Sequence, residues 1–144
     1  MQTGSALTDI GRVIQLSVAP VFLITGISGL LSVLSSRLGR TIDRSRVLHA
    51  LPDHEETRDD IHNELSVLSR RAKLIYRAMT LATTSALLIC FVIVSLFISA
   101  FASFPIGAVI AVLFVAAVIA LIAALVLFLR EVFLATRALR IQPS

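Results

Sequence analysis

Two runs without a charged residue dominate the pattern of hydrophobic and polar positions along the 144-residue chain. The first run covers residues 13–36 and the second covers residues 78–129. A helix rises 1.5 Å per residue, so about 20 apolar residues cross the hydrocarbon core of a bilayer. The first run therefore makes one span. The second is more than twice that length and must fold back, and the Ser-Phe-Pro sequence at 103–105 marks the turn.

This pattern predicts an all-α integral membrane protein with three transmembrane helices and a cytoplasmic helical hairpin between spans one and two. Hydrophobic residues make up 57% of the chain, above the roughly 45–50% of soluble domains. The predicted segments are a short external N-terminus (1–12), transmembrane helix 1 (13–36), a cytoplasmic helical hairpin (37–77) with its turn near 52–53, transmembrane helix 2 (78–102), a short external turn (103–105), transmembrane helix 3 (106–129) and a cytoplasmic C-terminal extension (130–144).

The distribution of positive charge predicts the orientation. Of the 13 Lys and Arg residues, all but Arg12 lie in the hairpin or the C-terminal extension. Because basic residues favour the cytoplasmic side, we expect the N-terminus outside and the hairpin and C-terminus inside. The net charge of +4 does not indicate nucleic-acid binding, since the basic residues border apolar runs instead of forming a separate basic face. A cleavable signal peptide would carry its positive charges before the apolar run, not after it.

The hairpin carries basic residues at both ends and acidic residues in the middle. A turn at Pro52 would place Arg44 near Asp60 and Arg40 near Glu64, so that opposite charges face each other across the hairpin. Apolar residues in the second arm are spaced alternately by four and three, which is the pattern of a coiled-coil seam. This stalk seam consists of Ile61, Leu65, Leu68, Ala72 and Ile75.

Small and hydroxyl residues form one face of the first span. This face lies on the first predicted helix of the chain, α1, and we call it the α1 stripe. It consists of Thr25, Gly29, Ser32, Ser36 and Gly39. It indicates either close packing of helices or the lining of a water-filled path in a homo-oligomer. Arg37, Arg40, Asp43 and Arg44 follow at the expected cytoplasmic mouth. Their arginines would either select ions or anchor the chain on anionic lipid headgroups.

The sequence offers little for catalysis. It has no Gly-rich phosphate loop, no nucleophile paired with a base and no Asp, Glu, Lys, Arg or His within the predicted spans, so we expect no enzyme activity, cofactor or ion-coupled transport. Glu55, Asp59 and His62 share a helix face and are a candidate metal or pH site, although a solvated, acid-rich helix start explains the same residues. The single cysteine, Cys90, lies in an apolar run and is expected to be buried.

Three segments of the chain resemble a known family. They read QLSVAPVFLITGISGLL at 15–31, RLGRTIDRSR at 37–46 and RRAKLI at 70–75. They are similar to small bacterial membrane proteins catalogued as domain of unknown function 2721, over about residues 14–137. The resemblance implies a three-span protein of the bacterial inner membrane with a cytoplasmic hairpin. It implies no activity, substrate or site residue.

Two functional hypotheses follow from these features. In the first, the protein is a homo-oligomeric passive pore, lined by the α1 stripe and ringed by arginines at its cytoplasmic mouth, which would favour anions. In the second, it is a structural or regulatory scaffold whose stalk seam binds a soluble partner protein. The expected lipid partners are anionic headgroups at the inner face.

Overall fold

The structure, a computed structural model, describes residues 2–50, 58–102 and 106–139. These residues form three helices: α1 (Gln2–His49), α2 (Arg58–Ala102) and α3 (Gly107–Leu139). The prediction of an all-helical chain with three long apolar helices is confirmed. The turns expected near 52–53 and at 103–105 lie outside the described residues.

Each of the first two helices joins a predicted span to a predicted arm of the hairpin. α1 continues without a break from the first apolar run to His49, and it contains Pro20. A proline lacks the N–H of a regular helix, but membrane helices tolerate it because neighbouring groups satisfy the released carbonyl. α2 begins with Asp59 and Asp60 in its first turn, where carboxylates interact favourably with the helix dipole.

The surface of the helices is apolar over lengths that suit a bilayer. The segments Ile10–His49, Arg58–Ala100 and Gly107–Thr136 each contain a stretch apolar enough to cross a membrane, and only 11% to 22% of each stretch is buried. Large side chains such as Phe22 and Val112 are mostly exposed. In water this exposure would cost about 25 cal/mol per Å² of apolar surface, a cost that lipid removes. The chain is therefore a multi-pass membrane protein.

The buried positions recur every seven residues in all three helices. This spacing keeps one face of a helix directed at its neighbours over several turns. On α3 the series contains two alanines, which allow a close approach of helices, and ends in a carboxylate. The series are Ile27, Leu34, Thr41 and Leu48 on α1, Leu68, Ile75, Ala82 and Ile89 on α2, and Ala117, Ala124 and Glu131 on α3.

The chain divides into two compact units. The first, the apolar unit, comprises Met1–Leu30 and Leu81–Ile122, and the second, the charged unit, comprises Leu31–Thr80 and Ala123–Ser144. Every Asp, Glu, Lys and Arg except Asp9 and Arg12 belongs to the charged unit.

Two local expectations are wrong. Cys90 is exposed, because the face of α2 that turns inward at this level carries Ile89 and Val92. Arg44 pairs with Glu64, at 2.8 Å, instead of facing Asp60. The antiparallel register of α1 and α2 therefore differs by one helical turn from the predicted one.

Candidate functional site

A buried carboxylate from α3 lies between two arginines in the charged unit. The Glu131 side chain is completely buried. Its Oε2 accepts a hydrogen bond from Nη1 of Arg37 on α1, at 2.8 Å. Its Oε1 accepts two from Arg71 on α2, at 3.2 Å from Nε and 2.9 Å from Nη2. We call these three residues the Arg–Glu–Arg triad, and each of the three helices supplies one member.

The sequence pattern places each member of the triad. Glu131 follows Ala117 and Ala124 at seven-residue intervals, so its side chain lies on the buried face of α3. Arg37 is the first charged residue after the first apolar run. Its guanidinium carbon lies 5.3 Å from the centre of the Phe128 ring, one helical turn before Glu131. An arginine over an aromatic ring gains a cation–π attraction, which helps to fix its orientation.

The two arginines explain how a carboxylate can be buried here. Removing an ionised carboxylate from water costs several kcal/mol unless opposite charges and hydrogen bonds replace the water. Both oxygens of Glu131 have such partners, and the side chains of Arg37 and Arg71 remain 30% and 22% exposed. The triad thus fastens α1, α2 and α3 together through one carboxylate, while the outer part of each arginine stays accessible.

A cleft of about 270 Å³ adjoins the triad. Arg44 on its wall donates to both oxygens of Glu64, at 2.8 and 3.3 Å. Arg40 makes a long hydrogen bond of 3.4 Å to the Ser36 hydroxyl. The cleft thus combines four guanidinium groups with a small apolar and hydroxyl surface. We call it the arginine cleft, and its lining residues are Arg37, Arg40, Thr41, Arg44, Leu68 and Arg71.

The four residues predicted at the mouth have different environments. Arg37 is bound to Glu131, Arg44 is bound to Glu64 and Arg40 lines the cleft. Asp43 is exposed, and among the described residues it makes no hydrogen bond or ion pair. It does not line the arginine cleft.

The α1 stripe is exposed along its whole length. Thr25, Gly29, Ser32, Ser36 and Gly39 all lie on the face of α1 opposite the buried Ile27, Leu34 and Thr41. The Thr25 hydroxyl donates to the carbonyl of Val21 in its own helix, at 3.3 Å. A Cβ atom added to Gly29 or Gly39 would meet nothing within 4 Å. The chain's own packing therefore does not use the stripe.

The stalk seam is turned inward, in contrast to the stripe. Leu68 and Ile75 are buried, and Ile61, Leu65 and Ala72 are half-buried. Leu68 shares two clefts with Thr41 of α1. The seam therefore packs within the chain, where α1 and α2 run antiparallel.

The candidate metal site is only partly described. Glu55 lies outside the described residues, and Asp59 and His62 are both exposed. Within the described ranges, no three His, Cys, Asp or Glu side chains come together in a way that would hold a metal ion.

Sequence reasoning missed Glu131, Arg71 and Phe128 as site residues. A signal for Glu131 was present, because it is the sole acidic residue after Glu64 and it falls on the seven-residue series of buried positions in α3. Arg37 was predicted only as a residue of the mouth. Arg71 carried a similar signal, because it lies three residues after Leu68 and four before Ile75 of the seam, whereas Arg70, Lys73 and Arg77 lie on the far side of α2.

Comparison with known proteins identifies the chain at the level of a family. No match was found among curated proteins or among solved structures. One family model matches residues 17–141, which is most of the chain. The chain belongs to the family described as "Protein of unknown function (DUF2721)".

Proposed function

We propose that the protein assembles into a homo-oligomer in the bacterial inner membrane and forms a passive, ion-permeable path lined by the α1 stripe. The exposure of the entire stripe carries this proposal. A single chain buries the opposite face of α1 and leaves its small and hydroxyl residues uncovered. Identical stripes on several copies would cover one another or enclose a common axis.

The chemistry of the stripe suits assembly in a membrane. Lipid provides no hydrophobic drive for helix association, so helices associate where small residues allow close approach and hydroxyls form hydrogen bonds. A closed ring repeats the same contact between every pair of neighbouring copies and leaves no contact surface unmatched. Around an axis, Thr25, Ser32 and Ser36 would each form a ring of hydroxyls, which is a lining compatible with water and ions.

Asp43 continues the stripe and gives the proposed path its selectivity. It follows Gly39 by four residues, as Gly29 follows Thr25, and it is exposed. Arg37 and Arg44 are held by Glu131 and Glu64 on another side of α1. A symmetric assembly around the stripe would therefore place a ring of carboxylates at its mouth. Such a ring favours cations, in contrast to the arginine ring expected from the sequence.

The orientation is part of this proposal. Twelve of the 13 basic residues lie in the hairpin and the C-terminal extension, and only Arg12 lies on the other side of the first span. This asymmetry supports a cytoplasmic mouth and an external N-terminus.

Disulfide crosslinking in native membranes tests the assembly. In a Cys90→Ser background, which removes the single cysteine, Ser32→Cys places a thiol on the stripe. Val33→Cys is the matched control, since it is exposed on the same helix but rotated by about 100°. We expect oxidised dimers from the first variant and much less from the second. Equal crosslinking, or none from Ser32→Cys, contradicts contact through the stripe.

Conductance of the purified protein, reconstituted in planar bilayers under a salt gradient, tests the path. We expect a conductance that favours cations, and a reversal potential that moves toward zero in Asp43→Asn but not in Asp60→Asn, which removes an exposed carboxylate on α2. If the protein crosslinks through the stripe but carries no current, the proposed oligomer is supported and the proposed ion path is contradicted.

The alternative role, a scaffold whose stalk binds a partner protein, receives less support. The seam that would bind the partner is packed within the chain, with Leu68 and Ile75 buried. A soluble partner would need a different surface.

A further inference from the structure

We propose that the arginine cleft is a binding site for a phosphate group, supplied either by an anionic lipid headgroup or by free inorganic phosphate. The cleft brings together residues from two helices, with Arg37, Arg40 and Arg44 on α1 and Arg71 on α2. The three arginines of α1 are spaced by three and four residues, so they share one side of the helix. Arg71 lies opposite Arg37 because both bind Glu131.

The balance of charge in the cleft favours an anion. Four guanidinium groups line it, and two carboxylates, Glu131 and Glu64, are bound to them. This leaves two positive charges uncompensated among the six side chains. A phosphate group carries one or two negative charges and would compensate one or both of them.

The donors are also in excess. Each guanidinium has five N–H bonds arranged in a rigid fork, so the four groups offer about 20. They donate six hydrogen bonds to protein oxygens in the described chain: one from Arg37, one from Arg40, two from Arg44 and two from Arg71. Arginine forks match the spacing of phosphate oxygens and bind them in pairs. Arg40, whose single bond is 3.4 Å long, is the side chain most available to a ligand.

The size and place of the cleft limit the ligand. Its volume of about 270 Å³ lies below the roughly 300–1,000 Å³ of pockets for drug-sized ligands, and suits a single headgroup or ion. Arg37 directly follows the first charge-free run, and Glu131 follows the second by two residues. A basic pocket between helices at this level is where anionic lipid headgroups bind.

This inference does not depend on the proposed path. The cleft and the α1 stripe have no residue in common, although Arg40 of the cleft donates a long hydrogen bond to Ser36 of the stripe. Phosphate binding and conduction are measured separately, so either proposal can fail alone. Binding is measured on purified protein without any current.

Calorimetric titration of the full-length protein in a neutral detergent tests the site. The probes are dioctanoyl phosphatidic acid, dioctanoyl phosphatidylcholine and inorganic phosphate. Arg40→Gln removes the most available guanidinium, and Arg46→Gln is the matched control on the same helix, exposed and outside the cleft. Arg40→Lys retains the charge without the fork. Helicity and thermal midpoint are compared with the parent protein, because loss of one long hydrogen bond should leave the fold intact.

We expect phosphatidic acid to bind the parent protein, and its Kd to rise about tenfold in Arg40→Gln, the equivalent of losing one charge-assisted hydrogen bond. The Kd of Arg40→Lys should lie between those of the parent protein and Arg40→Gln, and the Kd of Arg46→Gln should match that of the parent protein. If inorganic phosphate binds with the same dependence on Arg40, the site recognises the free ion. If only phosphatidic acid binds in a way that depends on Arg40, the site recognises a lipid headgroup. Equal weakening by Arg40→Gln and Arg46→Gln, or no Arg40-dependent binding of either probe, would overturn the proposal.

Discussion

The apolar unit and the charged unit each contain a cleft of similar size but opposite chemistry. The cleft of the apolar unit has a volume of about 340 Å³ and no ionisable side chain in its wall. The arginine cleft measures about 270 Å³ and has four arginines in its wall. The lining residues of the first are Leu16, Ala19, Pro20, Val92, Leu96, Gly107, Ile110, Ala111 and Phe114.

The same three helices are held together differently in the two units. In the apolar unit, Ser85 on α2 donates to the carbonyl of Ala117 on α3, at 2.7 Å, and the contact is completely buried. A neutral hydrogen bond and a small side chain thus set the approach of two helices. In the charged unit, one carboxylate binds arginines from two other helices. We infer that packing fixes helix distance in the first unit, whereas charge fixes helix pairing in the second.

Replacing Glu131 with Gln should have the largest effect on this comparison. Glutamine has nearly the shape of glutamate but cannot compensate two guanidinium charges, so Arg37 and Arg71 would be left facing each other. Removing one partner of a buried ion pair costs roughly 3–5 kcal/mol. We expect a value near the lower bound, since both arginines retain access to their surroundings. The measurement is unfolding in mixed micelles with increasing dodecyl sulfate, followed by circular dichroism.

The matched control is Glu64→Gln. Glu64 also binds an arginine, but its side chain is 42% exposed and that of Arg44 is 54% exposed, so solvent already screens the pair. We expect little change from this variant. Equal losses of stability in the two variants would mean that the burial of Glu131 does not strengthen its ion pairs. The stability of the charged unit would then not depend on the triad.

Ala117→Leu should have the second-largest effect. Ala117 is completely buried on α3 and its carbonyl accepts the Ser85 hydroxyl. Additional methylene groups would push the two helices apart, and overpacking of this kind costs about 1–3 kcal/mol. The same unfolding measurement applies. Ala108→Leu, at an exposed position of the same helix, should leave stability unchanged, and a similar loss in both variants would refute close packing at Ala117.

The three helices were predictable because a segment that crosses a bilayer must be about 20 residues long and nearly free of charged residues. The two runs at 13–36 and 78–129 predicted three long apolar helices. The register of the hairpin was off by one turn because Asp60 and Glu64 are acids one helical turn apart on the same side of α2. Charge alone does not choose between such positions.

The site was harder to predict, because it depends on which face of each helix is buried. The small residues of the stripe indicated helix contact, yet a single chain leaves Ser32 exposed and buries Leu34. Glu131 looked like one more charge beyond the third span. Its burial follows from the seven-residue series with Ala117 and Ala124, and recognising that series requires knowing which alanines pack.

The smallest expected effect comes from Ser85→Ala, which removes the neutral hydrogen bond of the apolar unit and nothing else. The Ala117 carbonyl belongs to a regular helix and would keep its backbone partner four residues later. Hydrogen bonds between membrane helices contribute about 0.6 kcal/mol on average, so we expect a loss of this size in the same unfolding measurement. Ser35→Ala, on the exposed surface of α1, is the control. A loss as large as that of Glu131→Gln would show that hydrogen bonding, and not packing, holds the apolar unit. The two units would then differ only in the charge of their donors and acceptors.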